Sequence, residues 1–254
     1  MGSVSSQWIT ALVVDAEFSI EWCPLKDVVT RQLSAAVKNW SAEYLTDIVE
    51  EHFPHVVEHL RNALVDFDSD GIPRPFELDQ EDPPYARQLG NLHPALLRKL
   101  RRIDPFKLED VCSTILSKFG AESKTTQRTN DDGVDFYALN FDFVRDGFAT
   151  PQSSRAAIIG QTKRYKETNL VTETEVRAFV GGAMKVKNDL VKNGQILPLS
   201  PVAFAFWTTS DFDRNAKRYA KDMGLWFMSG RALAHYVFRL GMQAEIEALP
   251  DHVL

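Results

Sequence analysis

Apolar residues recur along this chain with two kinds of spacing, and the change of spacing divides the chain into two parts. In the first part, apolar positions return every three or four residues, which is typical of helices with one buried face. Pro24, Ser41 and Pro54 each suit the start of such a helix, as a first-turn proline or a capping serine. Before these helices, residues 8–14 and 17–22 favour two strands. The first part is therefore predicted to be small and mainly helical.

From about residue 105 onward, helical and strand patterns alternate. The predicted strands cover residues 122–128, 134–139, 155–162, 202–208 and 225–228. The predicted helices cover residues 105–119 with Gly120 as a cap, a segment that begins after Thr172, residues 213–223 and residues 230–247. The strand over 202–208 is almost continuously apolar, as expected for a strand buried on both faces. This alternation predicts an α/β domain built on a central sheet.

The two parts are joined by residues 66–84, which are rich in acidic residues, proline and glycine. We expect an irregular, exposed connection there, followed by a short helix from Pro94. The domain boundary is placed in this region. It divides the chain into an N-terminal domain over residues 1–95 and a second domain over residues 96–254.

Charge separates the two parts as well. Residues 1–100 contain 8 Lys or Arg and 16 Asp or Glu, whereas residues 101–254 contain 21 and 19. DNA is a polyanion that binds proteins largely through Lys and Arg, so the acidic first part is not expected to bind it. We expect the first part instead to mediate self-association into a dimer or higher homo-oligomer, or to contact a partner protein.

Bulk features exclude several classes of protein. No stretch of about 18 apolar residues is present, and the N-terminus lacks a basic segment followed by an apolar one. The sequence therefore predicts no membrane span, no signal peptide and a cytoplasmic protein. Cys23 and Cys112 lie far apart among apolar residues, so we expect buried free thiols rather than a disulfide or a zinc site.

A histidine cluster in the first part invites a metal interpretation, because two of its members are four residues apart. It comprises His52, His55 and His59. Pro54 is predicted to begin a helix, which would leave His52 outside the turn that aligns all three. We therefore expect no metal site at this cluster.

Polar residues at the ends of two predicted strands form the candidate catalytic set. Asp135 lies in the strand over 134–139, after a turn. Gln161 and Lys163 come at the end of the next strand, and because strand side chains alternate between faces, both lie on the same face. An acid, an amide and an amine can thus converge at one end of a sheet.

This set suits metal-assisted hydrolysis of phosphodiester bonds. Mg²⁺ prefers oxygen ligands, which Asp135 and the Gln161 amide supply, and Lys163 would then hold or polarise the attacking water. The alternative is that Asp135 only ends a turn and that Lys163 is one more solvated surface charge. The spacing alone leaves both interpretations open, since loosely spaced polar residues recur by chance.

Four segments of the second part resemble, in order and spacing, the catalytic domain of Mrr-like restriction endonucleases in the PD-(D/E)XK nuclease superfamily. They are Leu108-Glu109 with the apolar helix positions that follow, D-D-G-V-D over 131–135, Q-T-K-R-Y over 161–165, and Thr208-Thr209-Ser210 with Phe212. Leu108 departs from the family, which commonly has an aromatic residue there, and residues 140–154 are longer than the family's usual hairpin connection. Neither departure touches the inferred metal ligands.

The resemblance implies a restriction-endonuclease-like α/β fold, with a mixed central sheet flanked by helices after the smaller, mainly helical N-terminal domain. It implies that Glu109, Asp135 and Gln161 hold Mg²⁺ or Mn²⁺, with Gln161 in place of the superfamily's acid. Lys163 would orient the water that attacks double-stranded DNA and leaves a 5′-phosphate. Basic residues beside these positions are the candidate DNA contacts, namely Lys124, Arg128, Arg164 and Lys166.

The resulting hypothesis is a metal-dependent endodeoxyribonuclease of restriction or anti-phage defence type. One alternative is a catalytically silent DNA- or protein-binding module of the same fold. Another is a Holliday-junction or repair nuclease, which differs only in its substrate. The complete set of Asp135, Gln161 and Lys163 favours an enzyme, because a silent module has no physical need for an acid and an amine that converge on one strand end.

Overall fold

The computed structural model describes residues 4–252, except for residues 15, 38, 70–73, 91–92, 127–132, 144–150 and 167. The chain divides into two compact units, residues 1–94 and residues 95–254. In the parts that are described, the first unit combines helices with a small antiparallel sheet, and the second packs helices on a larger mixed sheet. No helix of the described residues is long and apolar enough to cross a membrane.

In the first unit, three helices pack against one another. They are α1 (Ser6–Val14), α2 (Leu25–Ala36) and α3 (Ala42–Ser69). Each directs an apolar stripe into a shared core, in which Val13, Val28 and Leu60 are completely buried. An antiparallel sheet in the order β1-β3-β2 adds Phe76 and Ala86 to the same core. Its strands are β1 (Cys23–Pro24), β2 (Phe76–Leu78) and β3 (Tyr85–Gln88).

The sequence predictions for the start of this unit are wrong. Residues 8–14 form α1 instead of a strand, and its buried residues Ile9, Val13 and Val14 return at a helical spacing. Residues 17–22 are described and form no strand. A short apolar run is compatible with a strand or with a buried helix, and here packing against α2 and α3 decides for the helix.

Pro54 lies inside α3 instead of beginning a helix. An interior proline removes one helical hydrogen bond and crowds the preceding turn. The helix nevertheless continues, because it buries Ile48 and Val49 before Pro54 and Val56 and Leu60 after it. Tertiary packing of this apolar stripe outweighs the local cost.

The continuity of α3 also changes the interpretation of the three histidines. His52, His55 and His59 share one helix, so the reason given against their alignment is wrong. His59 Nε2 lies 3.2 Å from Ser6 Oγ of α1. Within the described ranges, no group of three or more His, Cys, Asp and Glu side chains is placed to hold a metal ion.

The connection between the two parts is more ordered than its composition predicts. Residues 66–69 belong to α3, and β2 and β3 lie on either side of residues 79–84, so the prediction of an entirely irregular segment over 66–84 is wrong. The strands are three and four residues long, and β1 pairs with β3 across more than sixty residues of sequence. Such short, long-range pairing gives no local periodic signal.

The second unit is built on a five-stranded sheet in the order β4-β5-β6-β7-β8. Its strands are β4 (Glu122–Thr125), β5 (Phe136–Phe141), β6 (Ala156–Lys163), β7 (Val202–Thr208) and β8 (Trp226–Met228). β4, β5 and β6 pair antiparallel, whereas β6, β7 and β8 pair parallel. The predicted mixed central sheet is confirmed. β6 is paired on both edges and has helices packed on it, and its residues from Ala156 to Thr162 are all buried.

Helices cover both faces of this sheet. They are α4 (Pro94–Leu100), α5 (Pro105–Lys118), α6 (Glu173–Lys192), α7 (Arg214–Asp222), α8 (Gly230–Arg239) and α9 (Gln243–Glu247), with a short 3-10 turn over Gln152–Ser154. Ile159 and Phe206 share one core with α6 and α7. The alternate side chains Phe136, Trp207 and Trp226 form an aromatic group on the other face, where α5 and α8 pack.

The predicted end signals of the helices are seen in the backbone. Gly120 has a φ of +86° just beyond α5, and Thr172 caps α6 through a reciprocal pair of bonds with Glu175. Residues 230–247 form two helices instead of the single predicted one, because Gly241, with a φ of +67°, turns the chain between α8 and α9. A positive φ is adopted readily by glycine and ends a helix.

Candidate active site

The end of β6 carries Gln161 and Lys163 on one face, as the alternation of strand side chains predicts. Gln161 is buried, and Lys163 is half-buried. The Gln161 amide lies against the turn before β5, since a Cβ at Gly133 would be 3.3 Å from Gln161 Nε2. The Gly133 backbone has a φ of +75°, which favours glycine at this close approach.

Asp135 lies directly before β5, at the same end of the sheet. Its main-chain N–H donates to Gly160 O at 2.9 Å, and its carbonyl accepts from Thr126 N–H at 2.9 Å. Its carboxylate Oδ2 accepts from the Thr162 main-chain N–H at 2.6 Å and lies 3.3 Å from Thr162 Oγ1. The carboxylate therefore takes the place that a main-chain carbonyl would have if the β5–β6 ladder continued.

This contact fixes Asp135 relative to the other candidate residues. Thr162 stands between Gln161 and Lys163 in β6, so the sheet brings the Asp135 carboxylate to the same strand end. A hydrogen bond from a main-chain amide to a carboxylate is charge-assisted, and it contributes roughly 1.5–3 kcal/mol. Asp135 precedes the strand instead of lying inside it, because β5 begins at Phe136, two residues later than predicted.

Glu109 approaches from α5, the helix that packs on β4, β5 and β6. It is half-buried and stands three residues before Cys112, whose thiol is completely buried. Burial raises the pKa of the Cys112 thiol well above its ordinary value, and the negative charges of Asp135 and Glu109 raise it further. Both carboxylates therefore lie near Cys112. The place of Glu109 beside Gln161 and Lys163 stays a prediction.

The donor chemistry of these residues fits a hard cation. Glu109 and Asp135 supply carboxylate oxygens and Gln161 supplies an amide oxygen, and oxygen ligands of this kind suit Mg²⁺. Because one of the three ligands is an amide, the set is compatible with the absence, among the described residues, of groups of three or more His, Cys, Asp and Glu that could hold a metal. Asp131 and Asp132, which begin the D-D-G-V-D motif, lie outside the described residues.

Buried hydroxyl groups hold the main chain around Lys163. Thr208 Oγ1 donates to Lys163 O at 2.9 Å, and Thr209 N–H donates to the same oxygen at 3.1 Å. The Thr209 hydroxyl also joins Tyr165 twice, accepting from its N–H and donating to its carbonyl, both at 2.9 Å. Thr208 and Thr209 are completely buried. The Thr-Thr-Ser segment at the end of β7 therefore fixes the strand end from which Lys163 projects.

Two further residues join this site that the sequence analysis did not select. The Tyr165 hydroxyl donates to Glu175 Oε1, and Glu175 is also the third residue of α6 and part of its capping box with Thr172. Burial and the bond to Glu175 raise the pKa of Tyr165 to about 12. Burial pushes the pKa of Glu175 upward, but the hydrogen bonds from Tyr165 and Thr172 and the charge of Lys163 outweigh it, so this pKa is lowered. The T-x-x-E spacing was the available signal for Glu175.

The candidate DNA-contact residues differ in how exposed their side chains are. Lys124 is exposed on β4, and Lys166 is exposed just beyond β6. Arg164 is half-buried and its Nη1 donates to Ile103 O at 3.2 Å, so it ties the end of β6 to the segment before α5. Arg128 lies outside the described residues.

Comparison with known proteins places the chain in a family. The family model of the Mrr catalytic domain, described as restriction endonuclease, matches residues 100–237, which are 138 of the 254 residues. The chain belongs to this restriction endonuclease family. The resemblance seen in the sequence motifs is confirmed, and so is the fold class. No curated protein matches the chain in sequence.

Two solved structures are similar to part of the chain. One is the MspJI restriction endonuclease in complex with a 27-mer oligonucleotide, at 20% identity over 63% of this chain and 37% of that one, with a TM-score of 0.39. The other is the DNA modification-dependent restriction endonuclease AspBHI, at 19% identity over 61% of this chain and 37% of that one, with a TM-score of 0.42. This chain therefore matches little more than a third of either protein's length.

Proposed function

We propose that this protein is a metal-dependent endodeoxyribonuclease that hydrolyses phosphodiester bonds in double-stranded DNA, in restriction or anti-phage defence. The observation that carries the proposal is the Asp135 carboxylate bound to the Thr162 amide, between Gln161 and Lys163 of β6. Membership in the restriction endonuclease family supports the same activity.

Each residue of the set has a distinct role in this chemistry. Glu109, Asp135 and Gln161 would hold Mg²⁺, or Mn²⁺ in its place, and the ion would supply a Lewis acid and charge neutralisation for the scissile phosphate. The Lys163 ammonium carries three N–H donors and holds the attacking water in line with the phosphorus. Thr208 and Thr209 keep the main chain of Lys163 in position, so the strand end from which the amine projects is in place before the substrate arrives.

The direct test is a digestion panel with the full chain. Plasmid, methylated plasmid, branched DNA, single-stranded DNA and RNA are incubated in Mg²⁺, in Mn²⁺ and in a chelator. We expect plasmid DNA to be nicked and linearised in Mg²⁺ or Mn²⁺ and to stay intact in the chelator. Cutting that is unaffected by the chelator would exclude the metal-dependent mechanism. Preference for branched DNA would favour a junction nuclease, and no cutting of any substrate would favour a silent module.

The site assignment is tested by single substitutions. Asp135→Asn or Lys163→Ala should lower the rate of DNA cleavage by several orders of magnitude, since residues that act as one catalytic unit show losses of this size. Asp135→Asn keeps an oxygen that can accept from Thr162 N–H, so the fold should persist. Rates are measured in single-turnover digestion, with unfolding followed by circular dichroism.

A neighbouring pair on α5 provides the matched control. Glu109→Gln should impair cleavage strongly, whereas Asp110→Asn should cut at the wild-type rate, because Asp110 is exposed and pairs with Lys107. Wild-type cutting by Glu109→Gln would remove Glu109 from the site, and wild-type cutting by Asp135→Asn would overturn the whole assignment.

A further inference from the structure

Helix α7 carries four basic residues among its nine, and they share one side of the helix. We call them the basic stripe: Arg214, Lys217, Arg218 and Lys221. At 3.6 residues per turn these positions fall within an arc of roughly 100°. The buried residues Ala216 and Ala220 lie on another side, and all members of the stripe except half-buried Lys217 are exposed.

The basic stripe is unfavourable for the helix that carries it. Arg214 with Arg218, and Lys217 with Lys221, are like charges four residues apart, which repel each other on a helix surface. Arg214 is also the first residue of α7, where the positive end of the helix dipole disfavours a cation. Both α6 and α7 have a lysine in the last turn, but only α6 has acidic residues in its first turn, where they stabilise a helix. Stability of α7 therefore does not explain the stripe.

Nearby acidic residues balance the stripe only in part. Asp211 lies 3.1 Å from Lys217 Nζ, but it also lies 3.4 Å from Arg231 Nη2, so one carboxylate is shared by two cations. Asp213 is the N-cap of α7 and accepts from Ala216 N–H at 2.7 Å. Asp222, the last residue of α7, lies four residues after Arg218 and adds a third carboxylate. Residues 211–222 thus supply three acids against the four cations of the stripe and Arg231, so positive charge exceeds negative charge.

The stripe begins at the edge of the sheet that carries the candidate active site. β6 and β7 are parallel, with Lys163 opposite Thr208, and α7 starts six residues after Thr208. A bridge between Val171 and Phe212 aligns the segments that enter α6 and α7. Arg214 therefore follows the same carboxyl edge of the parallel strands at which Lys163 ends β6.

We propose that the basic stripe of α7 binds the phosphate backbone of duplex DNA beside the candidate active site, an inference that rests on the proposed function. From Arg214 to Lys221 the helix rises roughly 10 Å, at 1.5 Å per residue. Duplex DNA carries one negative charge per roughly 1.7 Å of its axis, so it presents several phosphates over this length. A polyanion relieves the repulsion within the stripe and converts an unfavourable helix surface into a binding surface.

The test uses the full chain and a fluorescently labelled DNA duplex, with no divalent cation present. The variant Arg214→Gln/Arg218→Gln removes two exposed cations from the stripe. The control Lys192→Gln/Arg239→Gln removes two exposed cations from the last turns of α6 and α8, with the same change in net charge. Affinity is measured by fluorescence anisotropy over a range of salt concentrations.

The salt dependence gives the decisive quantity. The stripe variant should reduce the slope of log affinity against log salt by about 2, roughly one for each lost phosphate contact, and should bind at least about tenfold more weakly. The control should retain the wild-type slope and bind within about twofold of wild type. Unchanged affinity and slope in the stripe variant would overturn the proposal. So would an equal loss in the control, or no duplex binding by the wild-type chain.

Two further measurements separate binding from folding and from cleavage. The stripe variant should melt at the wild-type temperature or higher, because it loses like-charge repulsion, and Arg214→Lys/Arg218→Lys should retain duplex binding because it keeps the charge. If the charge-keeping variant also loses binding, the proposal is wrong. Duplex binding that depends on the stripe, in a chain that cuts no DNA in Mg²⁺ or Mn²⁺, would overturn the proposed nuclease but support the stripe.

Discussion

The Glu175 carboxylate accepts hydrogen bonds from two residues that come from different segments. Tyr165, just after β6, donates its hydroxyl to one oxygen, and Thr172 donates its N–H at 2.8 Å and its hydroxyl at 2.7 Å to the other. All of these bonds favour the charged carboxylate, as does the positive charge of Lys163. One acid therefore joins the start of α6 to the end of the strand that carries the candidate catalytic lysine.

This contact predicts a pH dependence of stability. The pKa of Glu175 in the folded chain is below its ordinary value of 4.5. Its stabilisation is therefore complete above about pH 4.5, and it is lost as pH falls through the lowered pKa. We expect the wild-type free energy of unfolding to decline more steeply than that of Glu175→Gln as the pH falls below about 4.5. Denaturant unfolding at a series of pH values measures the difference, and parallel curves would contradict the assignment.

The sequence predicted those features of the candidate site that follow from the local alternation of side chains along a strand. Gln161 and Lys163 lie on one face because they are two residues apart in a strand, which needs no tertiary knowledge. The hydrogen bond from the Thr162 amide to Asp135 could not be predicted in this way, because it depends on the register of β5 against β6. Tyr165 and Glu175 meet for the same reason, through packing of α6 on the sheet.

At the scale of elements, the packing of β6 requires a glycine at position 160. A Cβ at Gly160 would lie 2.0 Å from Cζ of Phe136, because the Phe136 ring covers this point of the strand. Phe136 is completely buried and also packs on Trp207, with ring centroids 5.2 Å apart. The ring has little room to move away.

Gly160→Ala should therefore lower the free energy of unfolding by about 1–3 kcal/mol through overpacking. Gly181→Ala in α6 is the matched control, because no atom lies within 4 Å of its added Cβ, and it should stabilise the chain by up to about 1 kcal/mol. Chemical denaturation measures both variants. Equal stability of Gly160→Ala and wild type would show that the Phe136 ring is not held in place.

The elements that sequence reasoning found are those with a long local signal. β7 was predicted to the residue, because residues 202–207 are an unbroken apolar run that ends at Thr208, between turn residues. The helix α1 was predicted as a strand, because a single apolar run does not distinguish the two. Pro54 shows the opposite error, in which a sound local rule was outweighed by the stripe that α3 buries.

At the scale of the whole chain, the acidic N-terminal unit still has only a predicted role. A nuclease that cuts both strands of a duplex needs two sites or one that relocates, and two-fold dimers are the commonest symmetric assembly. The N-terminal unit has its own core, and residues 1–100 carry a net charge of −8 whereas residues 101–254 carry +2. We therefore expect it to mediate self-association or to bind a partner protein, and not to bind DNA.

Light scattering on the full chain and on residues 95–254 tests this role. The fragment should begin at residue 95, because Lys99 Nζ in α4 contacts Asp251 Oδ1 at 2.6 Å and a Cβ at Gly230 would lie 2.8 Å from Leu97 Cδ1. We expect the full chain to form dimers or larger assemblies and the fragment to be monomeric. Equal mass per chain for both, with no partner recovered by residues 1–94, would count against this role.

The Thr162 amide that binds the Asp135 carboxylate belongs to the peptide backbone. The position of this acid therefore depends on the pairing of β5 with β6. A slip of one residue would turn the side chains of β6 to opposite faces and separate the amide from the carboxylate. During synthesis, the carboxylate is made before its amide partner and stays unaligned until both strands have emerged and paired. Under the proposed function, a nascent or misfolded chain is therefore expected to be inactive. The host's own DNA would be exposed to nuclease activity only after folding is complete.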